Sequence, residues 1–226
     1  MPLSYPMLIL AALLAVIYEV GFAARQDKGW LGSAVKTGSV AALAAAGVMA
    51  GVSGLIVAGL ILGALGDFAL SRPGTSAFLA GMAAFAIGHL AYALAFAGRG
   101  VALWPDPFPL WQTVALIALG ASTEGWLAPR TGELRGPVRA YVGVIVVMGV
   151  AALLLPTAPG VELAMVGAGL FILSDLLLAL EMFVVTTPRS RRWLAFALWP
   201  AYWGGQMLIL LGAAAASGGM FLLGKG

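Results

Sequence analysis

The chain has 226 residues, of which 62% are hydrophobic and only 9% charged, with a net charge of +3 and a mean hydropathy of +1.03. Soluble domains carry about 25% charged residues, so a water-soluble fold is excluded. The absence of cysteine excludes disulfides, thiolate metal sites and cysteine nucleophiles, and the single histidine, His89, leaves no imidazole set for a zinc, di-iron or haem centre.

Apolar runs of about 18 residues or more are long enough to cross the hydrocarbon layer as helix. The pattern predicts an all-α integral membrane bundle of about eight transmembrane helices. It forms one domain covering 1–226, with spans near 3–24, 32–50, 54–70, 75–96, 108–128, 137–155, 161–185 and 191–216. The first span lacks a basic leader and is read as a retained helix rather than a cleaved signal. The segment from Arg25 to Gly29 breaks the first pair of spans, and Gly51-Val-Ser-Gly54 reads as a tight turn. Arg72-Pro73-Gly74 stops the third span. Pro105, Pro107 and Pro109 mark the longest loop, Pro137 suits a first helical turn, and Pro156 and Pro159 separate the sixth and seventh spans. Glycines spaced by four, at Gly47 and Gly51 and at Gly59 and Gly63, read as helix-packing positions.

Basic residues set the orientation. Loops 1, 3, 5 and 7 carry Arg25, Lys28, Arg72, Arg130, Arg135, Arg189, Arg191 and Arg192, while the opposite side carries only Arg99 and Lys225. This bias predicts a multi-pass protein of the cell membrane with the odd loops in the cytoplasm and both termini outside. It also accounts for the net charge, so no nucleic-acid partner is expected.

The informative residues are ionisable groups inside spans, because each is costly in lipid unless paired or wetted. They are Glu19, Lys36, Asp67, His89, Glu124, Arg139, Asp175 and Glu181. Glu19, Glu124, Arg139 and Glu181 lie near span ends and read as snorkelling side chains. At 1.5 Å per residue, Asp67 and Lys36 lie about 5 and 6 Å from the Arg-rich end, Asp175 about 15 Å and His89 about 20 Å. His89 and Tyr92 share a helix face at i, i+3, as do Tyr202 and Gln206 at i, i+4. Ser174 precedes Asp175 and is placed to donate to a neighbour. Gly63 and Gly66 leave room beside Asp67. Two readings of this set stay open: a polar network that cross-links helices, and an acid–base site. Two carboxyl groups in unlike surroundings can divide the work, one donating a proton and the other activating water.

At these residues the chain resembles the YhhN-like family of membrane proteins, which includes the animal lysoplasmalogenases. The resemblance covers roughly residues 30 to 212. It rests on Lys36, on Leu65-Gly66-Asp67, on Gly88-His89-Leu90-Ala91-Tyr92, and on Gly132 with Leu134-Arg135, Pro137 and Tyr141. It continues through Ser174-Asp175 with Leu178-Ala179, and through Tyr202 with Gln206. Thr37 stands where the family often has Pro, Trp203 where it often has a second Tyr, and Glu181-Met182 where a polar and then a basic residue are common.

The resemblance implies an all-helical fold of about eight spans and hydrolysis of the sn-1 vinyl-ether bond of lysoplasmalogens, giving a fatty aldehyde and a glycerophospho-alcohol. The implied partners are a lysophospholipid substrate and membrane lipids, with no cofactor and no metal; oligomeric state is left open. Vinyl ethers hydrolyse by protonation of the carbon distal to oxygen, so a proton donor and a water activator are needed. Asp67 and Asp175 are the expected catalytic pair, with the deeper Asp175 favoured as donor. Lys36 and Tyr141 are expected near the phosphate. His89, Tyr92, Ser174, Tyr202 and Gln206 complete the expected substrate site. The competing classes are a lipid or small-molecule transporter or flippase, which would also place acids and a Lys in mid-membrane, and a scaffold whose polar groups serve packing alone.

Overall fold

The computed structural model describes residues 3–25, 29–99 and 109–217. Pro105 and Pro107 of the expected longest loop, with Lys28 and Lys225 of the orientation count, lie outside these residues. Among the described residues there are eight α-helices and no strand. They are α1 (Tyr5–Gly21), α2 (Gly29–Ala50), α3 (Gly54–Leu70), α4 (Thr75–Ala97), α5 (Leu110–Trp126), α6 (Arg135–Leu153), α7 (Val161–Ala179) and α8 (Pro188–Ala216). Two short 3-10 turns, Ala128–Arg130 and Gly132–Leu134, join α5 to α6, and a π-helical turn, Leu180–Val184, extends α7.

Helix ends fall where the backbone demands glycine. Gly51 (φ +68°) closes α2, and Gly74 (φ +99°), following Pro73, opens α4. At both positions a side chain would be strained. Pro200 lies inside α8 and lacks the N–H that would bond the carbonyl of Phe196. A membrane helix tolerates this because its neighbours restrain it.

Five segments are long and apolar enough to span a membrane by length and composition: α2, α4, α6 with its preceding turn, α7 with its π turn, and α8. The large apolar side chains that remain exposed, such as Val16, Val20, Leu94 and Trp111, coat the outside of the bundle. A water-soluble protein would bury them. This is an all-α, multi-pass membrane bundle.

The helices pair mainly with their sequence neighbours, and α7 with α8 is the most extensive pairing. Two glycine crossings make it close. A Cβ on Gly205 would stand 2.8 Å from the carbonyl oxygen of Gly167, and one on Gly212 would stand 2.6 Å from that of Gly160. α8 also reaches α1, where the indole N–H of Trp199 donates to the carbonyl of Ala15 at 3.0 Å. α5 is peripheral. It packs on α6 and contributes no buried residue to the interior.

Candidate active site

The expected polar residues fall into two networks that flank one aromatic ring. The first gathers around Asp67, which is fully buried on α3. One carboxylate oxygen pairs with the ammonium of Lys36 from α2 at 2.7 Å. The other accepts the hydroxyl of Tyr202 from α8 at 2.9 Å. The amide of Gln206 donates to the Tyr202 oxygen at 3.2 Å, and Tyr92 of α4 donates to the Gln206 carbonyl oxygen. Every donor in this chain points towards Asp67, so it acts as an ionised acceptor. The Lys36 ammonium also faces the rings of Tyr18, Trp199 and Tyr202 at 5.7–5.9 Å, a cation–π setting that compensates its partial desolvation.

The second network gathers around Asp175 on α7. Tyr141 of α6 donates its hydroxyl to one carboxyl oxygen at 3.0 Å. The other oxygen lies 3.1 Å from Nε2 of the fully buried His89. The second ring nitrogen, Nδ1, is 2.8 Å from the backbone carbonyl of Phe85. A carbonyl only accepts, so Nδ1 carries hydrogen. A hydrogen bond between Nε2 and Asp175, 3.1 Å apart, then needs one further proton. Either the carboxyl is protonated and donates to a neutral imidazole, or a carboxylate accepts from an imidazolium. Without that proton two acceptors would face each other in the interior.

Phe171 separates and joins the two networks. Its ring centre is 4.4 Å from that of His89, 5.3 Å from Tyr202 and 6.2 Å from Tyr92. Phe85 packs edge-on against both Phe171 and Tyr202. Glycines make the space. A Cβ on Gly59 would enter the Tyr92 ring, one on Gly63 would meet the Gln206 amide, and one on Gly66 would come within 2.7 Å of the Phe85 ring.

Asp175 meets an apolar cavity. Between α4, α5, α6 and α7 lies an apolar cavity walled by Met82, Phe85, Leu116, Leu119, Val142, Ile145 and Ile172, with Asp175 and Tyr141 among its few polar lining residues. Met182 and Phe183 from the π turn and Trp126 from α5 wall it nearer the Arg-rich end. Asp67, Lys36, Tyr92, Tyr202 and Gln206 are not part of this wall.

The structure thus brings Asp175, His89 and Tyr141 together, and separately Asp67, Lys36, Tyr202, Gln206 and Tyr92. It draws no contact between the two aspartates. Ser174 donates to the Phe171 carbonyl of its own helix at 2.7 Å and joins neither network. Phe85 and Phe171 touch both networks, and Tyr18 and Trp199 touch the first, but they carry no sequence signal, because an aromatic on an apolar helix looks the same whether it packs lipid, core or site. Glu124 and Arg139, read as separate snorkelling groups, form a two-pronged pair across α5 and α6 at 2.7 and 2.5 Å.

Fold and site together define a polytopic membrane protein with a polar interior, one of whose acids opens onto an apolar cavity. The chain belongs to the YhhN family, whose family model matches residues 31–213. Among curated proteins it is 36% identical over 165 residues to the lysoplasmalogenase TMEM86A of Bos taurus, and 33% identical over 165 residues to that of Homo sapiens. Each match covers 70% of this chain and 64% of the relative, so the chain spans somewhat less than two thirds of the curated relatives it matches. No solved structure matches significantly.

Proposed function

We propose that this protein is a membrane-embedded hydrolase that cleaves the vinyl-ether bond of lysoplasmalogens, releasing a fatty aldehyde and a glycerophospho-alcohol. Family membership and the activity for which the curated relatives are named support the reaction. The observation that carries the reading is the approach of the Asp175 carboxyl to within 3.1 Å of His89 Nε2 at the wall of an apolar cavity.

In this reading the alkenyl chain lies in the cavity and its double bond meets Asp175. The Asp175 carboxyl protonates the carbon distal to the ether oxygen, and the double bond becomes an oxocarbenium ion. The carboxylate left behind stabilises that cation across an apolar site. Water then adds to the carbon bearing oxygen, and Asp175 takes up the proton that water loses. The hemiacetal collapses as its C–O bond to glycerol breaks, the departing oxygen gains a proton and the hydroxyl loses one. One carboxyl acts as acid and then as base, with Tyr141 and His89 fixing its orientation. Asp67 enters as a positioning group. Its ion pair with Lys36 and its bond from Tyr202 hold the far side of Phe171, on which His89 rests.

We further propose that residues 1–226 act as one membrane domain in the cell membrane. The Arg-rich end, with Arg72, Arg130, Arg135, Arg189, Arg191 and Arg192, would face the cytoplasm and both termini the other side. The support is the imbalance of basic residues.

The test is mass spectrometry of purified protein incubated with a lysoplasmalogen. Stoichiometric aldehyde and glycerophospho-alcohol, lost in Asp175→Asn, supports the hydrolase. Lipid that binds and crosses the bilayer unchanged would instead make the protein a transporter or flippase.

A further inference from the structure

If the protein is this hydrolase, the substrate's phosphodiester needs a cation at the mouth of the cavity. Lys36 is not in the cavity wall, and its charge is matched by Asp67 at 2.7 Å. Arg139 is engaged by Glu124. Two arginines at the α5–α6 junction are differently placed. Arg130 donates to the carbonyl of Trp126, and Arg135 donates through Nε to the carbonyl of Ala128 at 3.1 Å. Among the described residues, neither forms an ion pair with an acid. The Arg135 bond uses one N–H of five and leaves both terminal nitrogens of its fork available.

Position on the helix singles out Arg135. Arg135, Val138, Val142 and Ile145 follow one another at i, i+3, i+7 and i+10, a single stripe of α6, and the last three line the cavity. Arg135 stands on that stripe one turn beyond Val138. Its Cα is six residues, or about 9 Å of rise, from that of Tyr141, the residue that bonds Asp175. In a lysoplasmalogen seven bonds run from the protonated carbon to phosphorus. At about 1.2 Å advance per bond of an extended chain that is about 8 Å. The backbone rise and the lipid segment are of the same order.

We infer that Arg135 is the phosphodiester-binding residue of the substrate site, with Arg130 beside it and Glu124 as a carboxylate that competes for the same cations. A guanidinium fork suits two phosphate oxygens at once, as an ammonium does not.

The experiment compares two substrates with the same alkenyl chain: the lysoplasmalogen phosphoethanolamine and the corresponding 1-alkenyl-glycerol, which lacks phosphate. Wild type is expected to prefer the phosphorylated substrate. Arg135→Ala is expected to cut that preference, as a ratio of kcat/KM values, about tenfold through KM, with Arg135→Lys between the two. If both substrates suffer equally, Arg135 is only a brace on the turn that follows α5 or a contact for bulk lipid, and the inference fails. If neither suffers, it fails too. Should Arg135→Ala not fold, Glu124→Gln serves instead: its preference for the phosphorylated substrate is expected to rise a few-fold, and an unchanged preference overturns the inference. A wild-type protein that cleaves neither substrate would instead overturn the hydrolase reading, and this assignment with it.

Discussion

Gly63 and Gln206 meet where α3 touches α8, with no room between them for a methyl group. A Cβ on Gly63 would press on the Gln206 amide and come within 3.1 Å of the Tyr202 hydroxyl. The chain of bonds from Tyr92 to Asp67 therefore depends on an absent side chain on a neighbouring helix. Gly63→Ala is expected to destabilise the protein by about 1–3 kcal/mol, the usual cost of overpacking, and to lower activity by displacing Gln206. Thermal unfolding in detergent checks the first effect, and a melting temperature equal to wild type would show that the helices give way freely.

Asp175 and Asp67 are expected to separate in mutagenesis. Asp175→Asn removes the proton donor at the cavity wall and is expected to cost about 10²–10⁴-fold in turnover while the fold persists. Asp67→Asn is expected to act on the fold first, because it strands the largely buried Lys36 ammonium, at a cost of about 3 kcal/mol. Adding Lys36→Met removes the stranded charge and is expected to recover much of that stability. If the double variant is no more stable than Asp67→Asn alone, the ion pair is not what the interior depends on.

Protonation at carbon leaves an isotopic record. In heavy water the aldehyde is expected to carry a solvent deuterium on the carbon next to the carbonyl, and turnover is expected to slow because that transfer limits the rate. Trapping the aldehyde by reduction before mass spectrometry preserves the label. Unlabelled aldehyde would mean that the carbon is not the site protonated, and the role given to Asp175 would fall.

Filling the cavity separates chain binding from chemistry. Val142 lies beside Tyr141 on the cavity wall. Val142→Trp is expected to lower kcat/KM for long-chain substrates about tenfold, in line with the few kcal/mol an apolar pocket uses to discriminate size, and to affect short chains less. Equal losses at every chain length would place the alkenyl chain elsewhere.

Much of the architecture is legible because lipid makes the rules severe. Apolar length marks the helices, and the turns at Gly51 and at Pro73-Gly74 are written in residues that cannot continue a helix. The π turn at Leu180–Val184 is not legible, since its extra residue breaks no apolar pattern. Within the site, spacing finds faces but not partners. His89 and Tyr92 share a face of α4, yet one bonds Asp175 and the other Gln206. Depth along the spans separates Asp175 from Asp67 in the sequence, but their partners are not legible there: a lysine for one, a histidine and an apolar cavity for the other. The pairing of Glu124 with Arg139, fifteen residues apart, depends on how α5 meets α6, which no local pattern encodes.

The glycine crossings of α7 and α8 impose a counting rule on the gene. Gly167 and Gly205 fix the two helices against each other, and from these points the chain counts eight residues forward to Asp175 and three back to Tyr202. One codon gained or lost in either interval would turn everything beyond it by about 100°, swinging a functional side chain into lipid. Between the crossing and the site, length itself is invariant, whereas the loops are free to drift.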